Sequence, residues 1–295
     1  MVSRVAESVG VSSDYAASRD PTMAWERRRY KKSCHFDTLQ QNFGENPCPE
    51  GHCRWVTISD THGKHRALSE NNMLPDGDVL LHAGDLTNVG EVKQISDFCD
   101  WMSELTQYKH KIVIAGNHDL TLDEDSYYPE LCKRFHFGKR KNDEEARRLM
   151  RTSPHFTYLE DATVENIFGY NVYGSPWQPE FCNWAFNLKR GAECDKIWDK
   201  IPTETDILLT HGPPLGYGDL CLPGKHRAGC LELLNQIEGR IKPLVHVFGH
   251  VHEGYGVTTN RVTTFINAST CTLQYRPMNK PTVFDLPVKS NESVE

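Results

Sequence analysis

No stretch of the 295-residue chain is apolar over as many as 18 positions, so the sequence offers no helix able to cross a bilayer. The first twenty residues, Met1 to Asp20, lack the apolar core of a secretory signal. Ten cysteines, at positions 34, 48, 53, 99, 132, 182, 194, 221, 230 and 271, form no C-x-x-C pair, which excludes a zinc ribbon and fits buried free thiols. An intracellular, cytoplasmic, reduced protein is expected. Positive charge is also short: 33 Lys and Arg against 40 Asp and Glu leave a net charge of -7. No global field gathers nucleic acid, and no nucleic-acid partner is expected. Internal repeats are absent as well.

What is present, 38% hydrophobic, 10% aromatic and 25% charged residues, is the composition of an enzyme-sized globular protein. Residues 1 to 53 carry Ser, Asn, Gln and the basic run Arg27 to Lys32 without clear periodicity, and are expected to form a mobile or loosely docked extension. From Arg54 the pattern changes to short runs rich in Val, Ile and Leu. Arg54 to Asp60, Asp78 to Asp85 and Lys111 to Asp119 read as strands buried on both faces. Glu91 to Gln107, with Val92, Ile95, Phe98, Cys99, Met102 and Leu105 at helical spacing, lies between the second and third, giving a βαβ unit. A hairpin over Thr163 to Ser175 and strands at Asp206 to Thr210, Val245 to Gly249 and Thr263 to Ala268 imply mixed sheets. Helices are expected at Asp143 to Met150, Ala192 to Trp198 and Cys230 to Arg240. One domain over 54 to 286 and a short polar tail over 287 to 295 complete the organisation.

The strand ends deliver one kind of chemistry. In chain order they carry Asp60 and His62, Asp85, Asn117 with His118, His211, and His250 with His252. Singly, each has an ordinary explanation as a turn cap or a satisfied core histidine. Recurrence at five strand ends, where open α/β sheets place their sites, is what gives them weight. Gly84, Gly116 and Gly249 beside them permit sharp turns and close backbone approach. Two carboxylates, an amide oxygen and several imidazoles in one apolar pocket conflict unless cations join them, and the count suits two divalent ions about 3.5 to 4 Å apart.

Asp60-x-His62, Gly84-Asp85 with Gly90, Gly116-Asn117-His118-Asp119, His211 and Gly249-His250-x-His252 resemble, in order, the five motifs of the calcineurin-like metallophosphoesterases. The resemblance covers Arg54 to about Leu286 and implies a four-layer α/β/β/α sandwich with two mixed sheets. It implies Asp60, His62 and His252 on a first metal, Asn117, His211 and His250 on a second, and Asp85 bridging both. His118 resembles the histidine that serves the leaving oxygen, with Asp119 beside it as an orienting acceptor. The segments Leu209 to Gly216, Phe248 to Gly256, Ile266 to Thr270, Gly174 to Trp177 and Trp184 to Leu188 are similar to the metallophosphoesterase-domain-containing (MPPED) family. That family is itself similar to class III cyclic-nucleotide phosphodiesterases, and one of its member types has glycine where this chain has His250.

The resemblance thus implies phosphoester hydrolysis by an activated water between two ions, manganese being expected and iron or zinc acceptable to such a ligand set. The expected substrate is a small phosphate ester or nucleotide, cyclic nucleotides first. A phosphomonoesterase or protein phosphatase is the alternative, although Asn88-Val89 stand where that branch has an arginine; a low-activity scaffold is the other. Trp177, Trp184, Phe186, Tyr217 and Glu253 to Tyr255 offer either faces for a base or packing for their loop cores, two readings of equal weight, and Lys64 and His65 offer contacts to phosphate.

Overall fold

The structure, a computed structural model, describes residues 19–30 and 35–289. Five strands build one sheet in the order β16-β2-β3-β4-β5: Thr282–Pro287, His52–Ile58, Val79–Ala83, His110–Ile114 and Thr157–Tyr158. All neighbours are parallel except the first pair. Seven strands build the second in the order β1-β14-β15-β13-β10-β7-β6: Asp37–Leu39, Gly256–Thr259, Thr264–Asn267, Val245–Phe248, Ile207–Thr210, Tyr170–Ser175 and Ala162–Ile167. Its centre is parallel and its edges antiparallel. Two ribbons of two strands, β8 with β9 (Gln178–Pro179, Asn187–Leu188) and β11 with β12 (Leu220–Cys221, His226–Arg227), lie outside the sheets.

Three apolar clusters make the layers. Trp55, Leu81 and Ile112 of one sheet meet Val172, Leu209 and Val247 of the other between the sheets. Strand residues point alternately to both faces, so Val56, Leu80 and Val113 face outward, where α3 (Val92–Glu104) and α5 (Asp143–Thr152) supply Phe98, Trp101, Met102 and Met150. Leu208 and Phe248 on the far face of the seven-stranded sheet meet Trp198 of α6 (Ala192–Trp198) and Leu233 and Leu234 of α7 (Leu231–Gln236). The result is the expected α/β/β/α order, each buried large side chain adding roughly 1.5–3 kcal/mol. Helix α3 begins where the Gln94 side-chain oxygen accepts the backbone N–H of Glu91 and Val89. Two shorter helices, α2 (Arg66–Glu70) and α4 (Cys132–Phe135), join loops to this face.

The segment expected to be a mobile or loosely docked extension packs in part against the domain. There α1 (Pro21–Tyr30) buries Ala24 and Trp25, and β1 pairs with β14. A single tryptophan does this without amphipathic periodicity, so no pattern announced it. Residues 1–18, 31–34 and 290–295, with Cys34, Lys31 and Lys32, lie outside the described residues, as does most of the expected polar tail. Among the described residues no helix is long and apolar enough to cross a membrane.

Candidate metal centre

The C-terminal ends of β2, β3, β4, β10 and β13 open on one edge of the molecule. There the sheets are joined, because Ser59 after β2 bridges Ser269 after β15 and its carbonyl accepts the Thr270 N–H at 2.8 Å. Asp60, His62, Asp85 and His250 all take positive φ, between 45° and 67°. Such backbone costs about 1–3 kcal/mol per residue and persists where surroundings enforce it. Enforcement is visible: Asp60 N–H binds Gly84 O, His62 N–H binds Asp85 O, and His250 N–H points to the Asp60 carboxylate at 3.0 Å. Gly249 must be glycine, since a Cβ there would collide with Asp60 Oδ2 and Ser59 Oγ.

The seven expected donors converge in two groups. Asp60, His62 and His252 form one: His252 Nε2 lies 3.3 Å from Asp60 Oδ1 and 3.2 Å from His62 Nε2. Asn117, His211 and His250 form the other, with His211 Nε2 at 2.9 Å and His250 Nδ1 at 2.7 Å from Asn117 Oδ1. Asp85 stands between them, Oδ2 at 3.7 Å from His62 Nε2 and Oδ1 at 3.4 Å from His211 Nε2. The tautomers are set from behind, where His252 Nδ1 and His211 Nδ1 meet the carbonyls of Thr272 at 3.0 Å and Ala83 at 2.9 Å. That leaves Nε2 lone pairs directed inward. Inward acceptors repel unless a proton or cation lies among them, and atoms about 2.0–2.2 Å from a common ion sit about 3 Å apart. The donor set therefore fits divalent metal.

Charge arrangement agrees. Burial opposes ionisation of Asp60 and Asp85, yet both stay below the usual carboxylate range because His252 faces Asp60 and His211 and His118 face Asp85. The same pairings overcome burial to hold His211 and His252 up at about 9. Burial pushes His62 down to about 4 and His250 to about 3, so both are neutral imidazoles at pH 7.

His118 is half-buried beside these groups. Its ring stacks on Trp184 with centroids 4.0 Å apart, and its Nδ1 lies 2.9 Å from the Asn88 carbonyl. Its backbone N–H donates to Asp85 Oδ1 at 2.8 Å. Asp119 does not orient it. The Asp119 carboxylate instead accepts the N–H groups of Leu86, Thr87 and Gly116 and the Thr87 hydroxyl, tying the Asp85 and Asn117 loops together. Burial first, and then Asp85, pushes it up to about 6. The orienting acceptor sequence reasoning missed is a backbone carbonyl, which carries no side-chain signal.

A cleft of about 280 Å³ opens over the centre. Of the aromatics expected to hold a base, Trp184 reaches this end of the site through its stack on His118. Phe186 and Tyr217 are core residues, and Trp177 packs edge-on against Phe186. His65 is buried against Asp97 at 3.1 Å rather than lining the cleft. Unforeseen wall residues are Phe181, Leu222, Leu273 and Tyr275, each 40–51% exposed, with His226 and the expected Glu253 beyond them. None lies in a metal motif.

Paired mixed sheets in four layers, with this donor set at the strand ends, are the architecture of a metallophosphoesterase. The family model for calcineurin-like phosphoesterases matches residues 54–254, and the chain belongs to that family. It is 44% identical over 255 residues to metallophosphoesterase domain-containing protein 1 of Homo sapiens, covering 83% of this chain and 74% of that protein. It is 40% identical over 284 residues to UPF0046 protein T07D4.2 of Caenorhabditis elegans, covering 92% and 69% respectively. The crystal structure of TT1561 of Thermus thermophilus aligns with a TM-score of 0.49 at 14% identity, over 80% of this chain and 99% of that one.

Proposed function

We propose that the protein is a metal-dependent phosphodiesterase acting on nucleotide-type substrates, cyclic nucleotides first. The observation that carries the reading is the convergence of six donors, from both sheets, in two groups on either side of Asp85. Asp60, His62 and His252 would hold one ion and Asn117, His211 and His250 a second, with Asp85 serving both. Manganese is the proposed metal, iron and zinc being compatible with the same mixed imidazole and oxygen donors. Such ions supply Lewis acidity and an acidified water.

This chain's residues do the rest. His118, with Nδ1–H given to the Asn88 carbonyl, would act with a second proton on Nε2, passing it to the departing alkoxide and remaining as the Nδ1–H imidazole. Trp184 behind the ring holds its plane. Asp119 keeps the two loops in register rather than touching substrate. The cleft wall supports a diester over a monoester: no lysine or arginine lines it among the described residues, while Phe181, Leu222, Leu273 and Tyr275 offer apolar and aromatic faces. A singly charged phosphate with a flat base suits such a wall better than a multiply charged ester does.

The test is hydrolysis of bis-p-nitrophenyl phosphate against p-nitrophenyl phosphate by metal-stripped protein reconstituted with Mn²⁺. Metal-dependent turnover favouring the diester is expected, and a screen of cyclic nucleotides follows. Preference for the monoester overturns the diesterase reading in favour of a phosphatase. Metal binding without turnover of either leaves a scaffold.

A further inference from the structure

Part of the cleft wall is a ribbon, β11 and β12, whose Cys221 and His226 line the cavity together with Leu222 of its turn and Ala228 just after it. A two-stranded ribbon is marginal by itself and needs support from elsewhere. Its support comes from the N-terminal helix. Thr22 Oγ1 accepts the Arg227 N–H at 2.9 Å, and the Arg227 guanidinium lies over the Trp25 ring at 4.9 Å. Trp25, 2% exposed, also meets Tyr217 edge-on at 5.6 Å. Gly216 is the floor beneath it, since a Cβ there would enter the indole ring. Arg28 fastens the other end of the helix, donating to Glu238 at 2.7 Å and Asn235 at 2.8 Å.

From Arg227 the contacts run on to the site. Arg227 pairs with buried Asp219 and donates to the Gly216 carbonyl at 3.1 Å. Asp219 accepts the N–H groups of Gly216 and Gly229, and its own carbonyl accepts that of Ala228. In the ribbon's turn, Leu222 N–H donates to the side chain of Glu253 at 3.2 Å, one residue after His252. Asn267 joins the same two segments by donating to Gly218 O and Val251 O. Helix α1 has ten residues, too few for independent stability, and Ala24 and Trp25 are its buried side chains.

We infer that α1 is a brace for the substrate wall and that Trp25 is a positioning residue for phosphoester binding, an inference that rests on the phosphodiesterase reading for its kinetic arm. The helix touches neither metal donors nor His118. Its release frees the ribbon without disturbing the strand ends, so substrate affinity falls while the chemical step persists.

Hydrogen exchange and steady-state kinetics on the full chain test this, with Trp25→Ala and Thr22→Val as variants. In Trp25→Ala the amides of 220–228 are expected to exchange at least about tenfold faster, with those of β3 and β10 unchanged, because local opening is reported segment by segment. KM for bis-p-nitrophenyl phosphate is expected to rise about tenfold with kcat within about threefold, the pattern of lost uniform binding. Thr22→Val gives the same pattern at smaller amplitude and decides the matter if Trp25→Ala does not fold. Ribbon amides unchanged in a variant whose α1 amides are released overturn the brace, and faster ribbon exchange at constant KM overturns the positioning role of Trp25. If wild type itself does not turn over, the phosphodiesterase reading has failed, and exchange alone still decides whether α1 braces the ribbon.

Discussion

The two donor groups are built differently. The Asp60 group has a carboxylate of its own, pairs it with His252 at 3.3 Å and secures it with the Ser269 hydroxyl at 2.9 Å. The Asn117 group has an amide oxygen in that place and borrows its negative charge from Asp85. Burial leaves His250 neutral down to about 3, so it brings a lone pair without charge. One position is therefore anchored by charge and the other by geometry, and Asp85 is where they depend on each other.

The largest effect should come from breaking that dependence. Asp85→Ala is expected to remove both ions and all measurable turnover, read by metal analysis and bis-p-nitrophenyl phosphate hydrolysis; two ions retained per chain would contradict the shared role. Next is His118, which touches both loops without belonging to either donor group. His118→Ala should keep both ions and lose about two to four orders of magnitude in kcat, the scale of general acid catalysis. Unchanged rates on a diester with a poor leaving group would remove it from the proton-transfer step.

The same contrast explains what the sequence made legible. Buried strands are short runs of Val, Ile and Leu, and their ends carried Asp60, Asp85, Asn117, His211 and His250 in plain order, so sheet and donors were readable together. Strand β5 and the two ribbons are two residues per strand, too short for any periodicity. The cleft wall was harder still. Phe181, Leu222, Leu273 and Tyr275 sit on three loops far apart in sequence that meet only through tertiary packing. Local pattern contains none of that. Trp184 was foreseen as a base contact, and its ring lies against His118 instead.

His250→Gly sharpens the comparison further. Removing a neutral ligand from the geometrically held position should release the second ion selectively, while the Asp60 group keeps its own. About one ion per chain and turnover reduced by at least about one or two orders of magnitude are expected, since loss of only a hydrogen-bond partner behind a ligand already costs roughly 10–100-fold. Loss of both ions would mean that the groups are not separable.

The smallest effect is on stability, and its sign follows from the histidines. In metal-free protein His211 and His252 titrate near 9 when folded against an ordinary value of 6.5, so their contribution is complete below 6.5 and is lost as pH rises through about 9. His62, His82, His246 and His250 are lowered by burial to about 4, 3, 3 and 3, so the unfolded chain binds their protons first and stability falls as pH drops below 6.5. Tm of the metal-free protein should therefore peak near neutrality and decline on both sides. Bound metal replaces the protons on His211 and His252, so Mn²⁺ should abolish the alkaline decline and steepen the acid one, where protons compete with the ion for ligands. Thermal melts at pH 5 to 10 with and without Mn²⁺ decide it. An alkaline decline that persists with bound metal would show that His211 and His252 keep their protons and are not donors, and His252 and Asp60 would then remain a charge pair rather than two ligands of one ion.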